Sequence, residues 1–155
     1  MTSLTMLCTD GSELATEALV AGLRLLTPAD RTLVVTVVDE VDPSLVFGAS
    51  GFAGGVVDDR EYAAMVSAQH EAADTILRSA VTALGLDGDP TVETVVAEGD
   101  AGRALCDLAV ERGATVIVAG SRGRGGLKRA VLGSVSDHLV RNAPCPVLVS
   151  GASEG

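Results

Sequence analysis

A glycine-rich segment with basic side chains has the residue types of a phosphate-binding loop. It reads AGSRGRGGLKRAVLGSVSDHL over residues 119–139. Glycine has no Cβ and lets backbone amides approach an anion closely, and a turn that leads into a helix presents unpaired N–H groups. The net charge of the chain is −10, so a site for an anion must be local. The segment supplies that local charge through Arg122, Arg124, Lys128 and Arg129.

Strands and helices must alternate along the chain to position this loop. Segments rich in β-branched residues occur at 4–8, 32–38, 91–97, 115–120 and 146–150. Runs such as LVVTVV and VIVA are apolar throughout, which is typical of strands buried on both faces of a parallel sheet. We therefore predict an α/β protein with a single doubly wound five-stranded parallel sheet, in the order 3-2-1-4-5, and helices on both faces.

Helical patterns fill the intervals between the predicted strands. Their starts are predicted at Ser12, Asp58, Asp100 and Ser134, with Ser12 and Ser134 as N-caps. The face of the first helix is predicted to comprise Ala15, Ala18, Leu19, Gly22, Leu25 and Leu26. The face of the second, which ends near Leu84, is predicted to comprise Tyr62, Met65, Gln69, Ala73, Ile76, Leu77, Ala80 and Leu84. The glycine-rich residues 44–57 are predicted to form a mobile loop.

Asp10 follows the first predicted strand and Gly120 ends the fourth. In a doubly wound sheet, ligands bind at the carboxyl ends of the strands where the strand order reverses, so these two residues are expected to face one crevice. An Asp at a strand-to-helix turn more often caps the helix. The glycine-rich loop on the other side of the crevice favours a ligand role for Asp10.

The spacing Gly120-x2-Gly123-x9-Gly133-Ser134 resembles the nucleotide-binding signature of the ATP-binding universal stress proteins. The resemblance extends from CTDGSELATEAL through VVDEV to GSRGRGGLKRAVLGSVSDHLVRNAPCPVLV, which is nearly the whole chain. It implies one nucleotide-binding domain over residues 1–150, and GASEG at 151–155 is predicted to be a disordered tail. The sequence departs from the family at Arg122, where His is frequent, and in the turn EGDAG, which lacks a common proline.

The resemblance also implies a role for each site residue, with ATP as the ligand, with or without Mg²⁺. The phosphates would be held by Gly120, Gly123, Arg124, Gly133, Ser134, Val135 and Ser136. Asp10 would bind the ribose hydroxyls, and backbone groups near Val37 would meet the adenine edge. The pocket would be lined by Cys8, Thr9 and Ala119. The family further implies a homodimer formed through the last strand, PVLVS.

Composition and spacing disfavour several other classes of protein. The net charge of −10 disfavours nucleic acids and anionic membranes as partners. No apolar run approaches the roughly 20 residues of a membrane span, and the first residues lack signal-peptide features, so a cytoplasmic location is predicted. The cysteines Cys8, Cys106 and Cys145 share no CxxC spacing and are predicted to be buried thiols. His70 and His138 lack metal-ligand spacing, so no metal site of protein ligands is expected.

Three alternative functions were weighed against nucleotide binding. A phosphoacceptor signalling domain needs clustered acids and a strand-end lysine, whereas the third and fourth strands end in AEG and AGSRG. A dinucleotide enzyme or classical NTPase needs GxGxxG or GxxxxGK[ST], and the first turn reads TDGSE. An ATP-independent dimeric module of the same fold stays open. We predict an ATP-binding regulatory protein of the stress response with no catalytic residue and at most slow hydrolysis, acting on an unknown protein partner.

Overall fold

The computed structural model describes residues 2–47, 57–122 and 132–151. In chain order the elements are β1 (Leu4–Cys8), α1 (Glu13–Leu23), β2 (Arg31–Val38), α2 (Ser44–Phe47), α3 (Asp59–Ala83), β3 (Val92–Glu98), α4 (Ala101–Arg112), β4 (Val116–Gly120), α5 (Ser134–Asn142) and β5 (Val147–Ser150). The strands form one five-stranded sheet in the order β3-β2-β1-β4-β5, and every pairing is parallel. The predicted fold class and strand order are confirmed.

The central strand β1 is buried along its whole length and supplies both hydrophobic cores. Because side chains alternate across a strand, Leu4, Met6 and Cys8 point to one face and Leu7 to the other. The first face packs against α4 and α5, and the second against α1 and α3. This two-sided burial explains why four of the five residues of β1 are apolar and why Thr5 between them is buried as well.

Three helices begin where their capping residues predict. Ser12 Oγ accepts a 3.1 Å hydrogen bond from the amide of Ala15 at the start of α1. Asp58 and Glu61 form a reciprocal capping box at the start of α3, and Asp100 Oδ1 accepts from the amide of Arg103 at the start of α4. Each cap satisfies an amide that has no partner inside the helix. The predicted starts at Ser12, Asp58 and Asp100 are confirmed.

Two predicted core positions and one predicted cap are wrong. Leu25 is 76% exposed because α1 ends at Leu23 and its C-cap is Arg24. Met65 is 43% exposed because the buried residues of α3 lie in the second half of the helix. Ser134 is the first helical residue of α5, and the N-cap is Gly133, which has an extended backbone (φ −61°, ψ 158°). The carbonyl of Gly133 accepts a hydrogen bond from the amide of Asp137.

The prediction of a loop over residues 44–57 is corrected at its beginning, where Ser44–Phe47 form one helical turn. The amide of Ser44 donates to Asp42 Oδ1 at 2.8 Å, which favours the start of a turn. Residues 48–56 and 152–155 lie outside the described part of the chain. Within the ranges that the structure describes, no helix is both long and apolar enough to cross a membrane.

Candidate functional site

The candidate site is the crevice expected at the carboxyl edge of the sheet, between the ends of β1 and β4, where the strand order reverses. Cys8 at the end of β1 is paired in register with Ala119 of β4. After β1 the chain enters α1, which packs on one face of the sheet, whereas the helix that follows β4 is α5, which packs on the other. The connections diverge at this point and leave room for a ligand, as in other doubly wound sheets.

Asp10 lies in a tight turn between β1 and α1. The amide of Thr9 extends the sheet by donating to the carbonyl of Val35 at 2.9 Å, and the amide of Gly11 donates to Thr9 Oγ1 at 3.1 Å. The amide of Ser12 donates to Asp10 Oδ1 at 2.9 Å. A carboxylate accepts up to about four hydrogen bonds, so Asp10 can order this turn and also bind a ligand.

The strand β2 extends beyond the end of β1 and presents backbone groups to the crevice. Cys8 pairs with Val35, whereas β2 continues to Val38. The carbonyl of Val35 faces β1, where it accepts from Thr9, and the carbonyl of Val38 faces β3, where it accepts from Gly99. Because backbone groups alternate along a strand, the N–H and C=O of Val37 point to the space beyond the end of β1.

The glycine-rich loop enters and leaves the crevice at Ser121 and Gly133. The amide of Gly133 donates to the carbonyl of Ser121 at 2.8 Å, and the amide of Ser121 donates to the carbonyl of Ser150 at 2.8 Å. Ser136, which is 2% exposed, directs its hydroxyl at the carbonyls of Ser121 and Gly133, at 3.2 and 3.0 Å. The predicted site residues Gly123 and Arg124 lie outside the described residues, as do Lys128 and Arg129.

The N-terminus of α5 carries the chemistry of an anion site. Its N-cap, Gly133, makes no side-chain cap bond, and the first amide bonded within the helix is that of Asp137. The amides of Ser134, Val135 and Ser136 precede that bond and lie at the positive end of the helix dipole. The carboxylate of Asp137 bonds the guanidinium of Arg141 at 3.0 Å, one turn later. Since the hydroxyl of Ser136 is directed at carbonyls, Ser136 would meet an anion through its amide.

Neither Gly120 nor Gly133 is required by the packing of the protein itself. A Cβ added at Gly133 would lie 3.4 Å from the carbonyl oxygen of Ser121, and one at Gly120 would lie 3.4 Å from that of Arg122. These are close but tolerable contacts, and φ of −61° at Gly133 suits any residue. Because glycine has no Cβ, these two positions leave the neighbouring backbone amides accessible, which suits a ligand that binds the backbone.

The three cysteines belong to one core cluster beneath the crevice. Cys8 and Cys106 are buried as predicted, and Cys145 is half-buried. Burial, together with the nearby Cys106 and Cys145 thiols, raises the pKa of Cys8 to about 12. Burial also raises the pKa of Cys106 and of Cys145. Cys8 is therefore a neutral thiol at the end of β1. Among the described residues, no group of three or more His, Cys, Asp or Glu could hold a metal ion.

Sequence reasoning missed the contacts that α3 makes at this edge of the sheet. The hydroxyl of Tyr62 donates to the carbonyl of Val41 at 3.0 Å, and Gln69 Nε2 donates to the carbonyl of Asp39 at 2.9 Å. Both fix the chain as it leaves β2. The side chain of Ile76 covers Gly11. The helical spacing assigned these three residues to a core face, and no local signal distinguishes a residue that packs on a turn.

The order of the strands and the diverging connections at the switch point define a doubly wound α/β protein. Residues 2–150 match the model of the universal stress protein family, and this chain belongs to that family. It is 27% identical over 141 residues to the universal stress protein MJ0531 of Methanocaldococcus jannaschii, covering 91% of this chain and 77% of that one. The match to YxiE of Bacillus subtilis is 44% identical and covers 37% of this chain and 38% of that one.

Solved structures share the fold. The universal stress protein UspA from Lactobacillus plantarum superposes with a TM-score of 0.72 at 20% identity, covering 96% of this chain and 97% of that one. A universal stress protein in complex with cAMP gives a TM-score of 0.58 at 22% identity, covering 98% of each chain. A family protein from Archaeoglobus fulgidus in complex with dAMP gives 0.53 at 18% identity, covering 97% of this chain and 98% of that one.

Proposed function

We propose that this chain binds an adenine nucleotide, ATP in particular, at the carboxyl ends of β1 and β4 and acts as a regulatory protein of the stress response. The observation that carries the proposal is the start of α5, where the N-cap is Gly133, which has no side chain to bond the first amides. Such amides bind phosphate. The helices α1, α3 and α4, in contrast, are capped by their own side chains. Family members solved with cAMP and dAMP support adenine nucleotides as the ligand class.

Each part of the nucleotide would meet a different element. The phosphates would bind the amides of α5 and the glycine-rich loop, through Gly120, Gly123, Arg124, Gly133, Ser134, Val135 and Ser136. The ribose hydroxyls would donate to the carboxylate of Asp10. The adenine edge would pair with the N–H and C=O of Val37, which point beyond the end of β1. Cys8, Thr9 and Ala119 are buried at the ends of the two strands and would form the floor.

A divalent cation would arrive with the nucleotide. Since the described residues contain no cluster of three or more metal-ligating side chains, Mg²⁺ would be held mainly by the phosphate oxygens. The family resemblance supports binding without efficient hydrolysis. Asp137, the acid in the first turn of α5, is bonded to Arg141 and is poorly placed to act as a general base. The proposed role is therefore nucleotide-dependent regulation with at most slow hydrolysis, in the cytoplasm, where ATP is available.

Dimerisation through β5 is the second part of the proposal. β5 lies at the edge of the sheet, beside β4, and its residues are half-buried in the single chain. An edge strand can pair with a second copy and extend the sheet. The nucleotide would bias the dimer surface, or residues 48–56, toward a protein partner. This same edge favours the second candidate function, an ATP-independent dimeric module.

Calorimetric titration of nucleotide-stripped protein tests the proposal. We expect Mg-ATP to bind with a free energy of about −8 kcal/mol, in the micromolar range. Gly133→Val should strongly weaken the binding of ATP, because the valine side chain would cover the first amides of α5. The binding of adenosine, which lacks phosphates, should change little. The thermal midpoint of the variant provides the folding control. Absence of heat with ATP in the wild type would favour the ATP-independent module, and an equal loss for ATP and adenosine would place the phosphates elsewhere.

A further inference from the structure

The side chain of Ile76 on α3 covers the turn that carries Asp10. A Cβ added at Gly11 would lie 2.9 Å from Ile76 Cγ1 and 3.1 Å from both Cδ1 and Cγ2. All three outer carbons of Ile76 therefore face the Cα of Gly11. The turn needs a glycine there because its φ is +81°, a conformation that other residues adopt only with strain.

Gly11 is the residue about which the Asp10 turn closes. The amide of Ser12 donates to Asp10 Oδ1 across Gly11, and the amide of Gly11 donates to Thr9 Oγ1. Glycine has more accessible backbone conformations than any other residue, so this turn would be ordered only weakly by its own hydrogen bonds. A bulky side chain packed on Gly11 removes many of those alternatives. The orientation of the Asp10 carboxylate thus depends on a residue that is distant in sequence.

The helix holds Ile76 in place from both sides. Toward its N-terminus, Gln69 Nε2 donates to the carbonyl of Asp39 at 2.9 Å. Toward its C-terminus, Leu77 and Ala80 are buried in the core between α3 and the sheet. Ile76 itself is only half-buried, so part of its side chain lies outside that core. Its contact with Gly11 is therefore separable from the packing that stabilises the helix.

We propose that Ile76 is a positioning residue for the ligand site, which holds the Asp10 carboxylate in the orientation that recognises ribose hydroxyls and thereby sets selectivity for ribonucleotides. This inference rests on the proposed function. It assigns to α3 a part in sugar recognition, although Ile76 makes no contact with the ligand. Loss of the side chain should release the turn and abolish the preference, without removing the phosphate or adenine contacts.

The experiment compares ATP with 2′,3′-dideoxy-ATP, which lacks both ribose hydroxyls. Loss of a hydrogen bond to a charged group corresponds to about tenfold or more in affinity, so the wild type should prefer ATP by at least about that factor. In Ile76→Ala this ratio should fall to near one, and the amides of Gly11 and Ser12 should exchange hydrogen faster than in the wild type. Ile76→Val keeps Cγ1 and Cγ2 and should restore both readouts. Val81→Ala is the matched control, since Val81 is also β-branched and half-buried on α3.

Each outcome decides one of the two claims. Retention of the wild-type ratio and exchange rates in Ile76→Ala overturns the inference and leaves nucleotide binding intact. Equal binding of both nucleotides by the wild type overturns ribose recognition by Asp10, and with it the selectivity role of Ile76. If the wild type binds neither nucleotide, the proposed function fails, and the exchange rates alone decide whether Ile76 orders the turn. If the preference for ATP over 2′,3′-dideoxy-ATP falls equally in Val81→Ala, general loosening of α3 is responsible, and this result also overturns the inference.

Discussion

The amide of Gly133 donates a 2.8 Å hydrogen bond to the carbonyl oxygen of Ser121. This bond closes the glycine-rich loop at its base and brings the start of α5 to the end of β4. Because the amide of Ser121 is in turn bonded to the carbonyl of Ser150, the same few residues join the site to the edge strand β5. Changes at the base of the loop should therefore affect stability and ligand binding together.

Ser136→Ala should show this coupling. The hydroxyl of Ser136 is buried and directed at the carbonyls of Ser121 and Gly133, so its loss leaves buried acceptors with one partner fewer. We expect the free energy of unfolding in urea to fall by about 1–2 kcal/mol. ATP affinity should fall as well, because the loop closure loosens. Ser134→Ala is the control for stability at an exposed neighbouring serine, and an equal fall in the free energy of unfolding in both variants would contradict the role of the buried hydroxyl.

Gly102→Ala should disturb the contact between α4 and α5. A Cβ at Gly102 would lie 2.6 Å from Cγ of His138, so the imidazole must move. Overpacking of this kind costs about 1–3 kcal/mol, although alanine returns up to about 1 kcal/mol of helix propensity. The double variant Gly102→Ala/His138→Ala should recover part of the loss, because it removes the imidazole but keeps the Cβ of residue 138 at 2.8 Å. Chemical denaturation of the four proteins completes the cycle, and additive effects would show that His138 is not the residue that clashes.

The thiol of Cys8 should make stability fall at alkaline pH. Its pKa is raised to about 12 in the folded state from the ordinary value of 9.0, so the unfolded chain ionises first. The stabilisation is complete below about pH 9 and decreases as pH rises toward 12. Between pH 8 and pH 11, Cys8→Ala should therefore lose less stability than the wild type, measured by thermal unfolding. Parallel curves for the two proteins would contradict this prediction.

Glu93 should stabilise the edge strand β3 in a pH-dependent manner. Its carboxylate bonds Arg112 and, at 3.3 Å, Arg31. The hydrogen bond from Arg112 is the largest cause that lowers the pKa of Glu93 below its ordinary value of 4.5. The contribution is present above about pH 4.5 and lost as pH falls through the lowered pKa. Because Glu93 is 44% exposed, we expect Glu93→Gln to cost at most about 1 kcal/mol at pH 7. The difference should diminish as the pH falls through the lowered pKa of Glu93, and a cost that stays constant over this acid range would have another cause.

The sequence predicted the strands well because their apolar runs are continuous and their burial is two-sided. It also located three helix starts, since Ser12, Asp58 and Asp100 cap through local bonds that depend on adjacent residues alone. The fourth helix also starts at the predicted residue, Ser134, but its N-cap was misassigned by one residue. Ser134 has the side chain of an N-cap, but the bond between Gly133 and Ser121 fixes an extended conformation at Gly133 instead. That hydrogen bond joins the two ends of the loop, so no pattern among neighbouring residues in the sequence indicates it.

Helical spacing shows which residues share a face, but it does not show where the sheet beneath that face ends. Met65 and Ile76 both lie on the predicted face of α3. Met65 extends past the sheet and is 43% exposed, whereas Ile76 meets a turn that follows β1. The candidate site was located from the glycine spacing and the switch point, which are both readable in sequence. The contact between α3 and the turn at Gly11 depends on tertiary packing and could not be predicted from the sequence.

The extension of β2 beyond β1 has an implication for how this family can change. In the proposed complex the adenine edge meets the main chain of Val37, so no substitution at that position replaces the donor or the acceptor, with proline as the exception that removes the N–H. Base recognition then depends on how many residues β2 extends beyond the end of β1. Side chains around the pocket can therefore change without loss of the preference for the base. A change in that preference would require a shift in strand pairing or an insertion at the end of β1.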